Sequence, residues 1–279
     1  MTPPELEPID ADIDLRTLFE LERVDRDLFR ALTVFPDRYN LYGGQVAAQA
    51  LRAAGATVDD DRRPHSLHGY FLRPGDATRP TVFQVFRDRD GRSFSARRVV
   101  ALQDGEVIFN ASLSFQIPVP DAPARQAATV TDVPPPDQCE PMVIPRLFSF
   151  DGARPEQPYG EGDHEHKGRW PTRFWGRCRE PELATDPVLD ACVVTYLSDI
   201  STGIGPFSGD GWFPGPSLDH ALWFHHTGGA ADWMLMDLHP QAVSGGRGLY
   251  TGSIFDPSGR VLATLAQETL HGRPMKPKR

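Results

Sequence analysis

Cysteine is scarce: Cys139, Cys178 and Cys192 are the three in 279 residues, an odd number with no CxxC spacing. That argues against a disulfide framework and a zinc knuckle, and predicts a reducing, cytoplasmic setting. Long apolar runs are absent too; none approaches the roughly 20 residues that a spanning helix needs. The first residues, MTPPELEPIDADID, are acidic and proline-bearing, where a secretory leader would be basic and then apolar. A soluble, unprocessed chain with no membrane span is the expectation. Positive charge is short as well. The 29 Lys and Arg face 38 Asp and Glu, a net charge of −9, and basic residues stay scattered until the tail RPMKPKR at 273–279. No nucleic-acid or anionic-membrane surface is expected, so an anionic ligand must find a local positive site.

Several motifs are missing. Without a Walker A run or a GxGxxG, nucleotide chemistry has no support. No GxSxG elbow exists, and the Ser, Asp and His of SLDHALWFH are neighbours on one strand that alternate faces, which disfavours a serine-hydrolase triad. DHEH, Asp163 to His166, lies between glycines without HExxH or CxxC spacing. It reads as a solvated loop, and neither metal nor cofactor is expected.

What is present is a pattern stated twice. An amphipathic segment, LRTLFELERVDRDLFRAL, precedes GGQVAAQALRAAGATV (43–58), an alanine-rich helix opened by a glycine pair. Four strand-like runs follow, SLHGYFL (66–72), TVFQVFRD (81–88), SFSARRVVALQ (93–103) and EVIFNASLSFQ (106–116), divided by RPG, DRDGR and DG turns. Residues 117–168 change character, with prolines at 118, 120, 123 and 134–136, and read as a linker outside both sheets. Then the order returns. A strand RWPTRFWGR leads to the helix DPVLDACVVTYLSDISTG and to SLDHALWFHH, DWMLMDLH, RGLYTGSIFD and RVLATLAQETL.

The halves can be laid on each other. The run from Arg92 matches the run from Arg247 with one gap at the hairpin, and SLHGYF matches SLDHALWF with two extra residues. A duplicated helix-plus-meander unit is therefore predicted, each sheet covering its apolar face with its own helix. This is an α+β double hotdog: a first unit at 12–116, a linker at 117–168, a second unit at 169–272 and a basic tail at 273–279. The runs LYGGQVAAQAL, PHSLHGYFLRPGD, RDGRSFSARRVVA, SLDHALWFH, GGRGL and AQE, in that order, resemble the acyl-CoA thioesterase II family over nearly the whole chain except the linker.

Two residues are oddly placed. In the second helix Asp186 is a predicted N-cap, Pro187 the first helical residue and Gly203 a left-handed terminator, with Leu189, Cys192, Tyr196 and Ile200 as the buried stripe. Asp199 then falls in the last turn, where the helix dipole opposes a carboxylate. It could cap a loop or serve as a base. Gln267 shares a face with Val261, Ala263 and Leu265, where the first unit has Leu113; a buried amide needs partners, and a structural bond to a loop is one reading.

The resemblance implies more. It makes Asp199, Ser217 and Gln267 the catalytic trio, with Asp199 accepting a proton from an attacking water that Ser217 and Gln267 orient. It implies hydrolysis of fatty acyl-CoA, with acyl-CoA as the partner, and a homo-oligomer formed through the sheets; a non-catalytic acyl-CoA or lipid-binding protein is the alternative. Backbone N–H groups of Gly43, Gly44 and Gln45 are oxyanion candidates, against a close-packed helix start. Arg92 and Ser93 could hold coenzyme A phosphates, against an exposed hairpin arginine. His65 and His68 read as structural at a sheet edge. Segments 201–216 and 239–241 depart from the family pattern and are expected to border the site.

Overall fold

The computed structural model describes residues 13–32, 40–130, 132–144, 147–159, 171–200 and 203–273. In the first half come a short helix α1 (Leu15–Leu18), a hairpin β1 (Glu22–Asp25) and β2 (Leu28–Ala31), the helix α2 (Gly43–Gly55), and the meander β3 (Arg63–Phe71), β4 (Thr81–Asp90), β5 (Phe94–Gln103) and β6 (Glu106–Gln116). In the second are β7 (Glu140–Met142), β8 (Phe150–Arg154), β9 (Arg173–Cys178), the helix α3 (Pro187–Ser198), β10 (Phe213–Ser217), β11 (Asp219–Phe224), β12 (Trp233–Ser244), β13 (Arg247–Phe255) and β14 (Val261–Gly272).

The strands make one antiparallel sheet in the order β1-β2-β4-β5-β6-β3-β11-β14-β13-β12-β9-β8-β7, with β10 also on β14. Read outward from the β3–β11 seam, each half runs in the same sequence of equivalents, β3-β6-β5-β4-β2 on one side and β11-β14-β13-β12-β9 on the other. The duplicated unit read from the sequence is thus a duplicated topology, two hotdog units fused edge to edge. At the seam Leu67 faces Leu222 and His68 faces Ala221. The expectation for His65 and His68 changes accordingly: β3 lies between β6 and β11, in the middle of the sheet. His65 bonds Ser114 Oγ at 2.8 Å, and the His68 ring meets Trp223 edge-on at 4.9 Å.

Residues 117–168 do not stay outside the sheets. β7 and β8 fall within them and extend the second unit past β9, with Gly152 opposite Gly176. Prolines masked them, because β7 is a three-residue edge strand where a missing N–H costs no interior ladder bond. DHEH at 163–166 lies outside the described residues, as does the tail from 274; among the described residues no cluster of His, Cys, Asp or Glu could hold a metal.

Helix α3 begins as its sequence predicts. The Asp186 carboxylate accepts from the N–H groups of Val188 and Leu189 at 2.8 and 3.3 Å, and Pro187 is the first helical residue. It ends earlier than predicted, at Ser198 with Asp199 as the C-cap. Gly203 does not terminate it; that glycine packs on the Tyr250 ring, where a Cβ would sit 2.6 Å from ring carbons. No single stripe is buried either. Every residue from Asp190 to Ser198 is buried, because α3 is held between the sheet and α2.

The two helices run antiparallel in close contact. A Cβ on Gly44 would stand 2.6 Å from the Tyr196 carbonyl oxygen, the Cys192 thiol donates to the Ala48 carbonyl at 3.3 Å, and Gly55 abuts Val188. Alanine and glycine along α2 allow this approach. Its consequence is that the start of α2 meets the end of α3.

Candidate active site

Asp199, Ser217 and Gln267 come together at that meeting point. Gln267 Nε2 donates to Asp199 Oδ1 at 2.7 Å and to Ser217 Oγ, and the Ser217 hydroxyl donates to Asp199 Oδ1 at 3.2 Å. Three side chains separated by 18 and 50 residues thus close a triangle of hydrogen bonds. Alternation places Gln267 as expected, inward with Ala263 and Leu265, all at most 2% exposed; Val261 does not share that face, because a bulge opposite Ile254 and Phe255 turns it into the second apolar cluster with Trp175, Leu235 and Phe255. Ser217 ends β10, and its strand pairs with β14 through a bulge between Pro214 and Ser217 that sets the hydroxyl beside Gln267.

Helix geometry resolves the awkward position of Asp199. Its own helix end opposes its charge, but the other carboxylate oxygen, Oδ2, lies against Gly43, where a Cβ would be only 2.4 Å away. Gly43 is the first residue of α2. The positive end of one helix therefore offsets the negative end of the other. The Phe71 ring closes the same spot, within 2.8 Å of that Cβ position, and Phe71 N–H donates to the Leu218 carbonyl at 2.9 Å. The first unit supplies Gly43 and Phe71, and the second supplies the polar trio.

Of the oxyanion candidates, Gly43 stands against Asp199, Gly44 packs on the Tyr196 carbonyl and the Tyr42 ring, and Gln45 turns into the helix. The Gln45 N–H donates to the Tyr42 carbonyl at 3.2 Å as the helix turns, and its side chain is buried with Oε1 unpartnered. Arg92 and Ser93 are not brought to the trio. They line a separate cleft of about 490 Å³ with His65, Arg89, Phe94, Ser95 and Ser114. It lies at the His65 end of β3, six residues or about 20 Å of strand from Phe71.

Sequence reasoning misses one participant. His220, fully buried on β11, bonds Gln267 Oε1 through Nδ1 and Ser198 Oγ through Nε2 at 2.7 Å. Burial lowers its pKa, against an opposing pull from Asp199, the Gln267 bond and Asp219. The sequence does hold a signal, a histidine at an inward position three residues after Ser217, but the absence of a serine-hydrolase triad hides any other use for it. Asp219, its neighbour on the other face, accepts from the Glu268 N–H at 2.7 Å.

The segments that depart from the family pattern divide. Residues 203–216 do cover the inner side beyond Gln267: Ile204 packs on Gly248, and Trp212 stacks on His271 at 6.0 Å. Residues 201–202 lie outside the described residues. His239 and Gln241 do not border the trio. Through the pairs His239–Thr251 and Thr251–Ala266 they belong to the outer face, where His239 bonds Tyr159 and Gln241 bonds Thr251.

Comparison with known proteins agrees with this fold. Residues 35–116 match the family described as the acyl-CoA thioesterase N-terminal domain, and residues 117–271 match the acyl-CoA thioesterase C-terminal domain. Human acyl-coenzyme A thioesterase 8 is 33% identical, over 90% of this chain and 86% of that protein. Acyl-CoA thioesterase 2 of Haemophilus influenzae is 31% identical over 91% and 95%. In structure, the acyl-CoA thioesterase II TesB2 from Mycobacterium marinum superposes with a TM-score of 0.75 at 35% identity, covering 93% of this chain and 98% of that one. With both halves matched in order and the fold shared along its length, the chain belongs to the acyl-CoA thioesterase family, enzymes that hydrolyse the thioester of acyl-CoA.

Proposed function

We propose that this chain hydrolyses fatty acyl-CoA to free acid and coenzyme A at the Asp199, Ser217 and Gln267 triangle. The observation that carries the reading is the convergence of these three groups against the start of α2. A water above the triangle donates a proton toward the Asp199 carboxylate while Ser217 and Gln267 fix its direction. The water oxygen attacks the thioester carbon, and Gly43 and Gly44 at the helix start face the charge developing on the carbonyl oxygen. When the C–S bond breaks, the thiolate of coenzyme A leaves and takes the proton back from Asp199. No covalent acyl-enzyme and no metal are needed.

Release of thiol from acyl-CoA across chain lengths tests this. Asp199→Asn keeps the size and removes the proton acceptor, so turnover should fall about 100- to 10,000-fold with folding and substrate binding kept. Ser217→Ala should fall less, about tenfold, since it removes one orienting bond. A folded Asp199→Asn with near wild-type turnover would sink the assignment. In the same assay Arg92→Ala should raise KM and leave kcat, if Arg92 and Ser93 receive the coenzyme A phosphates; an unchanged KM returns them to an exposed hairpin.

Two coarser expectations belong with this reading. The three cysteines are free, and burial pushes the Cys178 thiol up to about 12, which suits a reducing cytoplasm. No helix among the described residues is long and apolar enough to cross a membrane. A homo-oligomer through the sheets is supported by Tyr70, Leu249 and Leu270, which stay 58, 41 and 43% exposed; sedimentation velocity would report it.

A further inference from the structure

The trio leaves one question open: what decides which way the Gln267 amide faces. Its two ends are nearly the same size, and both orientations fit the strand. Facing Asp199 with its oxygen would set a carbonyl against a carboxylate, two acceptors with no proton between them. Asp199 enforces the choice only while it is ionised; once it has taken up the proton of the water, its carboxyl can pair with either end of the amide.

The other end of the amide answers. Gln267 Oε1 is bonded by His220 Nδ1, and an amide oxygen can only accept, so Nδ1 carries the hydrogen. The ring is fixed in turn. His220 Nε2 lies 2.7 Å from Ser198 Oγ, and Ser198 is in the last turn of α3, one residue before Asp199. A neutral ring protonated at Nδ1 has its lone pair at Nε2, and the single Ser198 hydroxyl hydrogen is the donor that fills it. Ser198 also lies 2.9 Å from the Thr195 carbonyl, so ring and carbonyl compete for that hydrogen. His220 and Gln267 are at most 1% exposed and Ser198 is fully buried. No bulk water is at hand to substitute for a lost partner, and a buried amide oxygen left unpaired loses its hydration with nothing in return.

We propose that His220, as the Nδ1–H tautomer, is a positioning residue that holds the Gln267 amide with both N–H bonds toward Asp199 and Ser217. This rests on the trio reading and deepens it. The chain Ser198, His220, Gln267, Asp199 begins and ends on the same turn of α3, so the helix that carries the acid also fixes the partner of that acid. His220 touches neither water nor substrate in this arrangement; its effect passes through Gln267.

Two measurements test this, and neither is the Asp199→Asn assay that tests the trio. The first uses the wild-type protein labelled with 15N-histidine, the His220 signals being identified by their loss in His220→Asn. A proton on Nδ1 with Nε2 bare is expected; a ring without a proton on Nδ1 overturns the proposal, whatever the variants do. The second is a double-mutant cycle. His220→Leu should lower kcat by about 10- to 100-fold with little change in KM, the size of loss expected from a misplaced reacting group. In a Gln267→Ala background the same change should add less than about twofold, because there is no amide left to orient. His220→Asn, which presents an N–H where Nδ1 stood, should recover most of the loss. Equal penalties with and without Gln267 would make His220 a packing residue and sink the proposal. Each variant is compared after its thermal midpoint confirms a folded protein.

Discussion

Gly43 shows how one missing carbon makes room for the chemistry. The sequence presents a glycine pair at a helix start, a feature that usually means flexibility or close packing. Here it means close packing, with different partners: Gly44 yields to the Tyr196 carbonyl and the Tyr42 ring, and Gly43 yields to the Asp199 carboxylate and the Phe71 ring. Alanine is the better helix former by about 1 kcal/mol, so on propensity Gly43→Ala should stabilise the chain. Its Cβ, however, would fall 2.4 Å from Asp199 Oδ2. The carboxylate must turn away, and with it the bonds from Gln267 and Ser217. We expect a drop of at least tenfold in kcat, with a far-ultraviolet dichroism spectrum like the wild type. A variant with undiminished kcat would show that the carboxylate has room to retreat without consequence.

At the scale of elements, local signals are legible in the sequence and long-range ones are not. The cap and proline of α3, the inward phase of β14 and the repeated meander are all settled by neighbours within a few residues, so the sequence displays them. The short edge strands β7 and β8 owe their existence to β9, and the bond from His220 to Gln267 spans 47 residues; neither has a local signature. The trio residues themselves emerge through family resemblance, since alternation alone allows a structural role for Gln267. One such long-range fastening can be tested. Arg173 on β9 bonds Asp237 on β12 at 2.8 Å, and Asp237 is 5% exposed in its side chain. Burial works to raise the Asp237 pKa, but the His239 and Arg173 bonds outweigh it and hold the carboxyl below its usual value of 3.8. A depressed carboxyl contributes stability that is present above the unfolded value near 3.8 and is lost as pH falls through the lower folded one. Arg173→Ala leaves the buried charge with His239 alone. It should cost about 3 kcal/mol in urea unfolding at pH 7, and the gap to wild type should narrow as pH falls from 3.8 through the lower folded value, where the paired Asp237 becomes neutral. A gap that stays constant down to acid pH would mean that Arg173 contributes through packing.

For the whole molecule, the seam decides whether two units are two domains. The sheet passes without interruption from β3 to β11, where five residue pairs are in register from Tyr70–Asp219 to Ser66–Trp223. The helices press together along their length on one side of it. Cutting the chain in the linker would expose the β3 and β11 edges and leave one side of each helix without its partner. Unpaired edges of this length invite association. The two units should therefore unfold in one cooperative transition in the intact chain, seen as coincident curves by tryptophan fluorescence and by far-ultraviolet dichroism. The half-chains 1–130 and 131–279 should each be poorly soluble alone. Co-expressed, they should reassemble with thioesterase activity, because the acid, hydroxyl and amide lie in one half while Gly43 and Phe71 lie in the other. A soluble, monomeric second half that hydrolyses acyl-CoA unaided would show that the start of α2 is dispensable, and the role of the opposing helix ends in holding Asp199 would fall with it.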